Sequence, residues 1–453
     1  MPSLLARLRH HQLGTRDAWQ DRLTVWLSAA TAGLAVVTFT YIAELADHLF
    51  RAIYAHATWS PLVLTPFAGV VILWLTRRIA PMAAGSGIPQ VMVAMNPTLP
   101  PSLTSRFVSL RIVAAKILLG ASALVAGFSL GREGPSVQIS ASVMHAFRGM
   151  LSPMSRIKPA DLLLAGGAAG IAATFNAPLA GVIFAIEELS RRFEERTSGL
   201  IISAIVLAGV IAISLQGNFT YFGHITSARL NASDIGPAIL CIIIAGIFGG
   251  IFSRLLMLTA SSSRSRINHF RTTKPYLFAT ICGLLVAIIG VSSGGTLFGS
   301  GYEATRQLIE GAESMPIIAT LGKIAATVFS YWSGIPGGIF SPSLAIGAGI
   351  GHDVGNLFSA SQQTIVAIGM VAFLAAATQA PLTAFIIVME MTDGHDLIFV
   401  LMVSAFTANL IARLISKPLY KTLADIQLMQ LATPAHQPMT DDQPTEAAPK
   451  DSH

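Results

Sequence analysis

Apolar residues run in long stretches from about Leu23, Leu62, Val108, Ile201, Ile235, Pro275 and Ile398. Each stretch reaches the roughly 20 residues that a helix needs to cross a bilayer, so each is predicted to span. Elsewhere the apolar pattern is broken at short intervals by glycine and proline: Gly85 to Pro89, Gly131 to Pro135, Gly166 to Pro178 and Gly334 to Pro342. At membrane depth an unpaired backbone group costs several kcal/mol unless protein or a watery cavity covers it. Such breaks predict half-helices ending inside the membrane, as in proteins that handle ions. Roughly sixteen to eighteen helical pieces are expected, many too short to cross.

The pattern also repeats. Ala172-Ala173-Thr174-Phe175-Asn176-Ala177-Pro178-Leu179 is echoed by Ala375-Ala376-Ala377-Thr378-Gln379-Ala380-Pro381-Leu382, and nine residues past each proline stands a glutamate, Glu187 and Glu390. Upstream, the loop ending at Pro135 matches the one ending at Pro342, and the proline-to-proline spacing is 43 in one half and 39 in the other. Two related halves follow, about 22–225 and 235–430, with a seam near 220–235. Spacing alone leaves open whether they run parallel or inverted. A short segment, 1–21, precedes them, and 431–453 reads as a disordered tail rich in proline, acids and amides.

Composition narrows the class. Only 11% of the 453 residues are charged, against about 25% in an average soluble domain. Stretches 79–105, 117–131 and 197–228 carry no charge, and between Lys323 and Glu390 the only charged residue is Asp353. This excludes a soluble enzyme or a nucleic-acid binder and predicts an all-α integral membrane protein in contact with the lipid bilayer. The net charge of +6 comes from basic clusters at Arg7, Arg9, Arg16 and Arg22, and at Arg264, Arg266, Arg271 and Lys274, as cytoplasmic segments require. Residues 1–20 lack the apolar core and cleavage site of a signal peptide, so the first apolar stretch is expected to be retained. Cys241 and Cys282 stand alone in apolar sequence, and the eleven histidines show no metal spacing. No metal and no cofactor are expected. The phosphate loop, the His-Glu-x-x-His pair and the nucleophile elbow are all missing, which argues against an intramembrane enzyme.

Three loops carry the candidate chemistry: Gly85-Ser86-Gly87-Ile88-Pro89, Gly131-Arg132-Glu133-Gly134-Pro135 and Gly337-Gly338-Ile339-Phe340-Ser341-Pro342. In each, a proline leads into an apolar helix, where its missing N–H has no partner to lose. A helix N-terminus presents free N–H groups and about half a positive charge, and so attracts an anion. One such loop alone reads more simply as a kink packed through small residues. Glu133 changes the balance. Arg132 is the only other charge in 117–147, and an acid inside the membrane is a functional candidate by default. At a helix start it takes the place an anion wants, and protonation removes the competitor. A salt bridge to Arg132 is disfavoured, because neighbouring residues on a helix point apart.

In this order, with the two Ala-Pro-Leu segments, the three loops resemble the signature sequences of the CLC family of chloride channels and proton-coupled chloride antiporters, over about residues 22–430. The resemblance implies two inverted repeats of tilted, partly non-spanning helices and a homodimer with one ion pathway per subunit. The absence of appended regulatory domains suggests a prokaryotic type, in a cell (inner) membrane. It further implies that Ser86 and Tyr420 give hydroxyls, and Ile339 and Phe340 backbone amides, to a central chloride, the substrate. Glu133, followed by Gly134, would be gate and proton carrier. Glu188, 55 residues on, falls on the inner proton-transfer glutamate of the antiporter branch, where channels carry a nonpolar residue. Glu187 reads as a cytoplasmic helix end with mixed charge. Lys116 either raises the potential near the inner pathway or snorkels to the interface. Ser86 favours chloride, since the fluoride branch departs from the first signature and proline at this position accompanies nitrate preference. The expected function is a proton-coupled chloride antiporter; the alternative is a passive chloride channel of the same fold.

Overall fold

The computed structural model describes residues 16–190, 198–217, 220–225, 231–260, 265–311 and 316–432. Arg7, Arg9 and Arg264, the charged run Arg191 to Arg196 and the tail from Thr433 lie outside these residues. All seven predicted spans form helices long and apolar enough to cross a bilayer: Arg16–His56, Pro61–Ile79, Pro101–Val125, Gly199–Gln216, Ala232–Met257, Pro275–Ser292 and His395–Arg413. They carry outward-facing apolar residues, Phe67, Leu118, Phe399 and Leu410 among them, each about two-thirds or more exposed, which is the face a lipid-embedded protein presents. Nineteen α-helices occur among the described residues. That exceeds the expected number because short pieces such as Arg266–Thr273, which buries no residue, are too polar to register as apolar runs.

Two helix pairs fill the centre. Pro159–Phe175 packs on Glu133–Ala146, and Gln362–Thr378 packs on Phe340–Phe358, with nearly every residue of the first and third buried. Glycine makes the close approach. A Cβ on Gly166 would lie 2.7 Å from the Cα of Ala141, and one on Gly347 would lie 2.4 Å from the carbonyl oxygen of Gly369. The expected interruption at Gly166 to Pro178 is therefore narrower than the sequence suggests. The helix runs unbroken through its glycines to Phe175 and stops only at Asn176, which adopts a left-handed cap with φ of 56°, as its repeat counterpart Gln379 does at 62°.

The halves are inverted, and the echoed glutamates show how. Glu187 accepts the amides of Leu382 at 3.0 Å and Thr383 at 2.7 Å, at the start of helix Pro381–Thr392. Glu390 in turn accepts the amides of Leu179 at 3.2 Å and Ala180 at 2.6 Å, at the start of helix Pro178–Phe184. Each acid near the end of one helix caps the beginning of the other, so the two helices are antiparallel and a local two-fold axis passes between them. Glu187 is thus a cross-repeat cap, where the sequence offered only a charged helix end.

Candidate functional site at the meeting of three glycine loops

The three loops converge and are joined backbone to backbone. Gly131 and Gly338 exchange two hydrogen bonds of 2.8 Å, while the amide of Gly85 donates to Ile335 and that of Gly337 to Gly85, each at 3.1 Å. Since Gly131 and Gly338 are repeat equivalents, this pairing lies on the two-fold axis. Helices Ile88–Ala94, Glu133–Ala146 and Phe340–Phe358 start at this junction, and the first amides of a helix have no partner within it. The junction also requires glycine. A Cβ on Gly134 would come 2.3 Å from the Ser86 hydroxyl, and one on Gly338 would come 2.9 Å from the Gly134 nitrogen.

Glu133 is wholly buried. Its carboxylate accepts the Ser341 amide at 3.4 Å and the Ser341 hydroxyl, in the first turn of helix Phe340–Phe358. A negative side chain therefore rests where free amides and the helix dipole favour an anion. Arg132 turns the other way. Its guanidinium meets Glu44 at 2.9 Å and the phenol oxygen of Tyr221 at 3.3 Å, as expected of neighbours that point apart.

On the other side of the junction lie Ser86 and Tyr420, buried to 1% and 0% exposure. Their hydroxyls are close to each other, yet among the described residues neither makes a hydrogen bond of normal geometry. An unmet buried donor costs about 1–3 kcal/mol, so two adjacent ones suit a ligand that accepts from both. The Tyr420 ring stacks on Phe340, centroids 6.0 Å apart and planes 7° from parallel. Ile339 and Phe340 are fully buried at the helix start. Lys116 is fully buried too, its Nζ donating to the carbonyl of Gly85 at 2.6 Å. It braces the first loop and does not reach the interface.

Glu188 is 8% exposed and sits in a π-turn, Ala185–Leu189, closed by the amide of Ser190 on the carbonyl of Ala185 at 3.0 Å. Single π-turns recur at functional positions because they re-aim the residues they carry. Tyr420 is within electrostatic reach of Glu188 and of Glu133. A cavity of about 500 Å³ on the side of Arg271 and Asn268 reaches Ser86. Another of about 290 Å³, lined by Glu44, Tyr221 and Arg132, opens on the opposite side. The junction thus separates an inner from an outer cavity, with inner taken as the side of the basic segments.

All the predicted loop residues meet at this junction. Two further participants went unnoticed. The Ser341 hydroxyl is the closest partner of Glu133, although the sequence showed Ser341 only as a member of the third loop. Glu44, the partner of Arg132, lies 88 residues away in sequence, with no local pattern to mark it.

The family description "Voltage gated chloride channel" matches residues 68–413. A solved slow cyanobacterial Cl-/H+ antiporter is similar at 25% identity, with a TM-score of 0.78 over 91% of this chain and 99% of that one. A CLC-type fluoride/proton antiporter superposes with a TM-score of 0.72 at 21% identity, over 87% and 95% of the two chains. A eukaryotic CLC transporter does so at 0.75 and 21%, over 90% of this chain and 74% of that one. These last two establish the fold. Loops, repeats and superpositions agree, and the chain belongs to the voltage gated chloride channel (CLC) family of membrane transporters.

Proposed function

We propose that this protein exchanges chloride for protons, with Glu133 as both gate and proton carrier. One observation supports the reading above the others: the Glu133 carboxylate holds the Ser341 amide at a helix start, where a chloride would otherwise be favoured. Protonation cancels the charge that these donors hold. The neutral side chain then yields its place, chloride moves in beside Ser86, Tyr420 and the amides of Ile339 and Phe340, and Glu133 carries its proton outward. Neutral hydroxyls and amides bind the ion while still letting it leave, as conduction requires. On the inner side, Glu188 takes protons from the cytoplasm and passes them toward Glu133 across the region of Tyr420 by a transient water path. The likeness to a solved Cl-/H+ antiporter supports coupling. A homodimer, placement in a cell's inner membrane and a transport cycle without a cofactor belong to the same proposal.

Glu133→Ala tests the gate. In proteoliposomes the variant should still pass chloride but no longer drive protons, and its flux should lose the pH dependence of the parent protein. A variant that still drives protons against their gradient contradicts the assignment.

A further inference from the structure

Glu133 is held from the outer side by a chain of donors that begins at a fixed charge. The guanidinium of Arg132 is anchored by Glu44 at 2.9 Å and lies over the Tyr221 ring, 5.6 Å from its centroid. It donates to the Tyr221 phenol oxygen at 3.3 Å. That phenol is close to the Ser341 hydroxyl, and the Ser341 hydroxyl in turn bonds to the Glu133 carboxylate. The two ends fix the direction of the chain. Arginine can only donate and an ionised carboxylate can only accept. The Tyr221 hydrogen is therefore left to point at Ser341, and the Ser341 hydrogen at Glu133. Buried hydrogen bonds aligned head to tail strengthen one another.

Tyr221 itself is placed with little freedom. It is buried and belongs to segment 220–225, which is tied to the end of helix Pro381–Thr392. The Phe222 amide donates to the Met391 carbonyl at 2.9 Å, and the Ile225 amide to that of Thr392 at 3.1 Å. The Tyr221 ring packs edge-on against Phe175 at 5.7 Å, Phe222 at 5.0 Å and Tyr302 at 4.7 Å. A residue of the first half is thus seated by the second and reaches the gate.

The other charged and titratable groups around Glu133 are engaged elsewhere or distant. Tyr420 is within its electrostatic reach and also within that of Glu188. Of the helices packed on Glu133–Ala146, Arg16–His56 brings Glu44, which Arg132 occupies, and Leu110–Val125 brings Lys116, which is turned to the Gly85 carbonyl. Ile88–Ala94 carries no charge, Pro159–Phe175 only Asp161 at its opposite end, and Phe340–Phe358 only His352 and Asp353, three turns on.

We propose that Tyr221 is a positioning residue of the gate, its hydroxyl turning that of Ser341 toward Glu133 so that the carboxylate stays seated at the helix start. The role rests on reading Glu133 as the gate. It is exerted through Ser341 and not on chloride itself. Chloride efflux from proteoliposomes holding the full chain, followed across pH, tests it. Tyr221→Phe removes one oxygen and keeps the ring on which Arg132 and the aromatic neighbours pack. With a weaker hold the carboxylate yields more easily, so flux should persist to higher pH. The profile should move alkaline by about half to one pH unit, as the loss of an ordinary hydrogen bond implies. Ser341→Ala should move it the same way. In the Ser341→Ala background Tyr221→Phe should then add nothing, since residues of one network are not additive. An unmoved profile in Tyr221→Phe overturns the role, as does a shift that persists undiminished in the Ser341→Ala background, which would place the effect in the charge of Arg132. Glu133→Ala separates this role from the reading beneath it. If that variant keeps the parent's pH dependence, Glu133 is not the gate and both fall. If it loses the dependence while Tyr221→Phe behaves as the parent, only the role of Tyr221 falls.

Discussion

At the scale of single residues, the chemistry of the junction turns on what each buried polar group touches. Ser86 and Tyr420 are paired donors without acceptors among the described residues, so selectivity is expected to follow their hydroxyls. Ser86→Pro should shift preference toward nitrate in competitive flux assays, and an unchanged chloride-to-nitrate ratio would count against Ser86 as a ligand. Gly134 tests the same contact from behind, because any Cβ there comes 2.3 Å from the Ser86 hydroxyl. Gly134→Ala should cut chloride turnover by about tenfold or more, for a displaced hydroxyl forfeits a charged hydrogen bond worth ~1.5–3 kcal/mol. Normal turnover in that variant would mean the hydroxyl is not where transport is decided. Residues of this kind were legible in the sequence when the type was rare for its setting, as an acid in uncharged apolar sequence is. Lys116 was only half legible. Its charge stood out, but that it braces the Gly85 carbonyl depends on how two segments fold together.

Among the elements, the cross-repeat caps make the sharpest claim. Glu187 and Glu390 each satisfy two amides at the start of the opposite helix, a charged capping interaction that holds the halves together. Glu187→Ala should destabilise the protein by ~1.5–3 kcal/mol, read as a lower unfolding temperature in detergent, with Glu187→Gln in between because one acceptor oxygen remains. If Glu187→Ala unfolds like the parent, the cap carries no weight. The nine-residue interval after each proline announced a repeat without its purpose. Spacing records distance along one helix, whereas the cap reaches 195 residues across the chain. The seven spans were legible for the opposite reason, since bilayer thickness fixes their length within one segment. Glycine misled once, at Gly166, where it serves close packing and not a break.

For the whole molecule, inversion relates the two sides of the junction, and they differ at the position of Glu188. Glu188 stands on the inner side and Met391 at its image, so the proposed exchange needs a proton relay from the inner side only. The proposed coupling is a property of the complete chain and not of any loop. It is tested most directly by proton movement in proteoliposomes that contain the purified protein and a chloride gradient as the sole driving force. Protons are expected to move uphill, and Glu188→Gln to stop them while chloride continues to flow. Chloride flux with no proton moving against its gradient would contradict it and leave a passive channel, with Glu188 no more than a buried helix end.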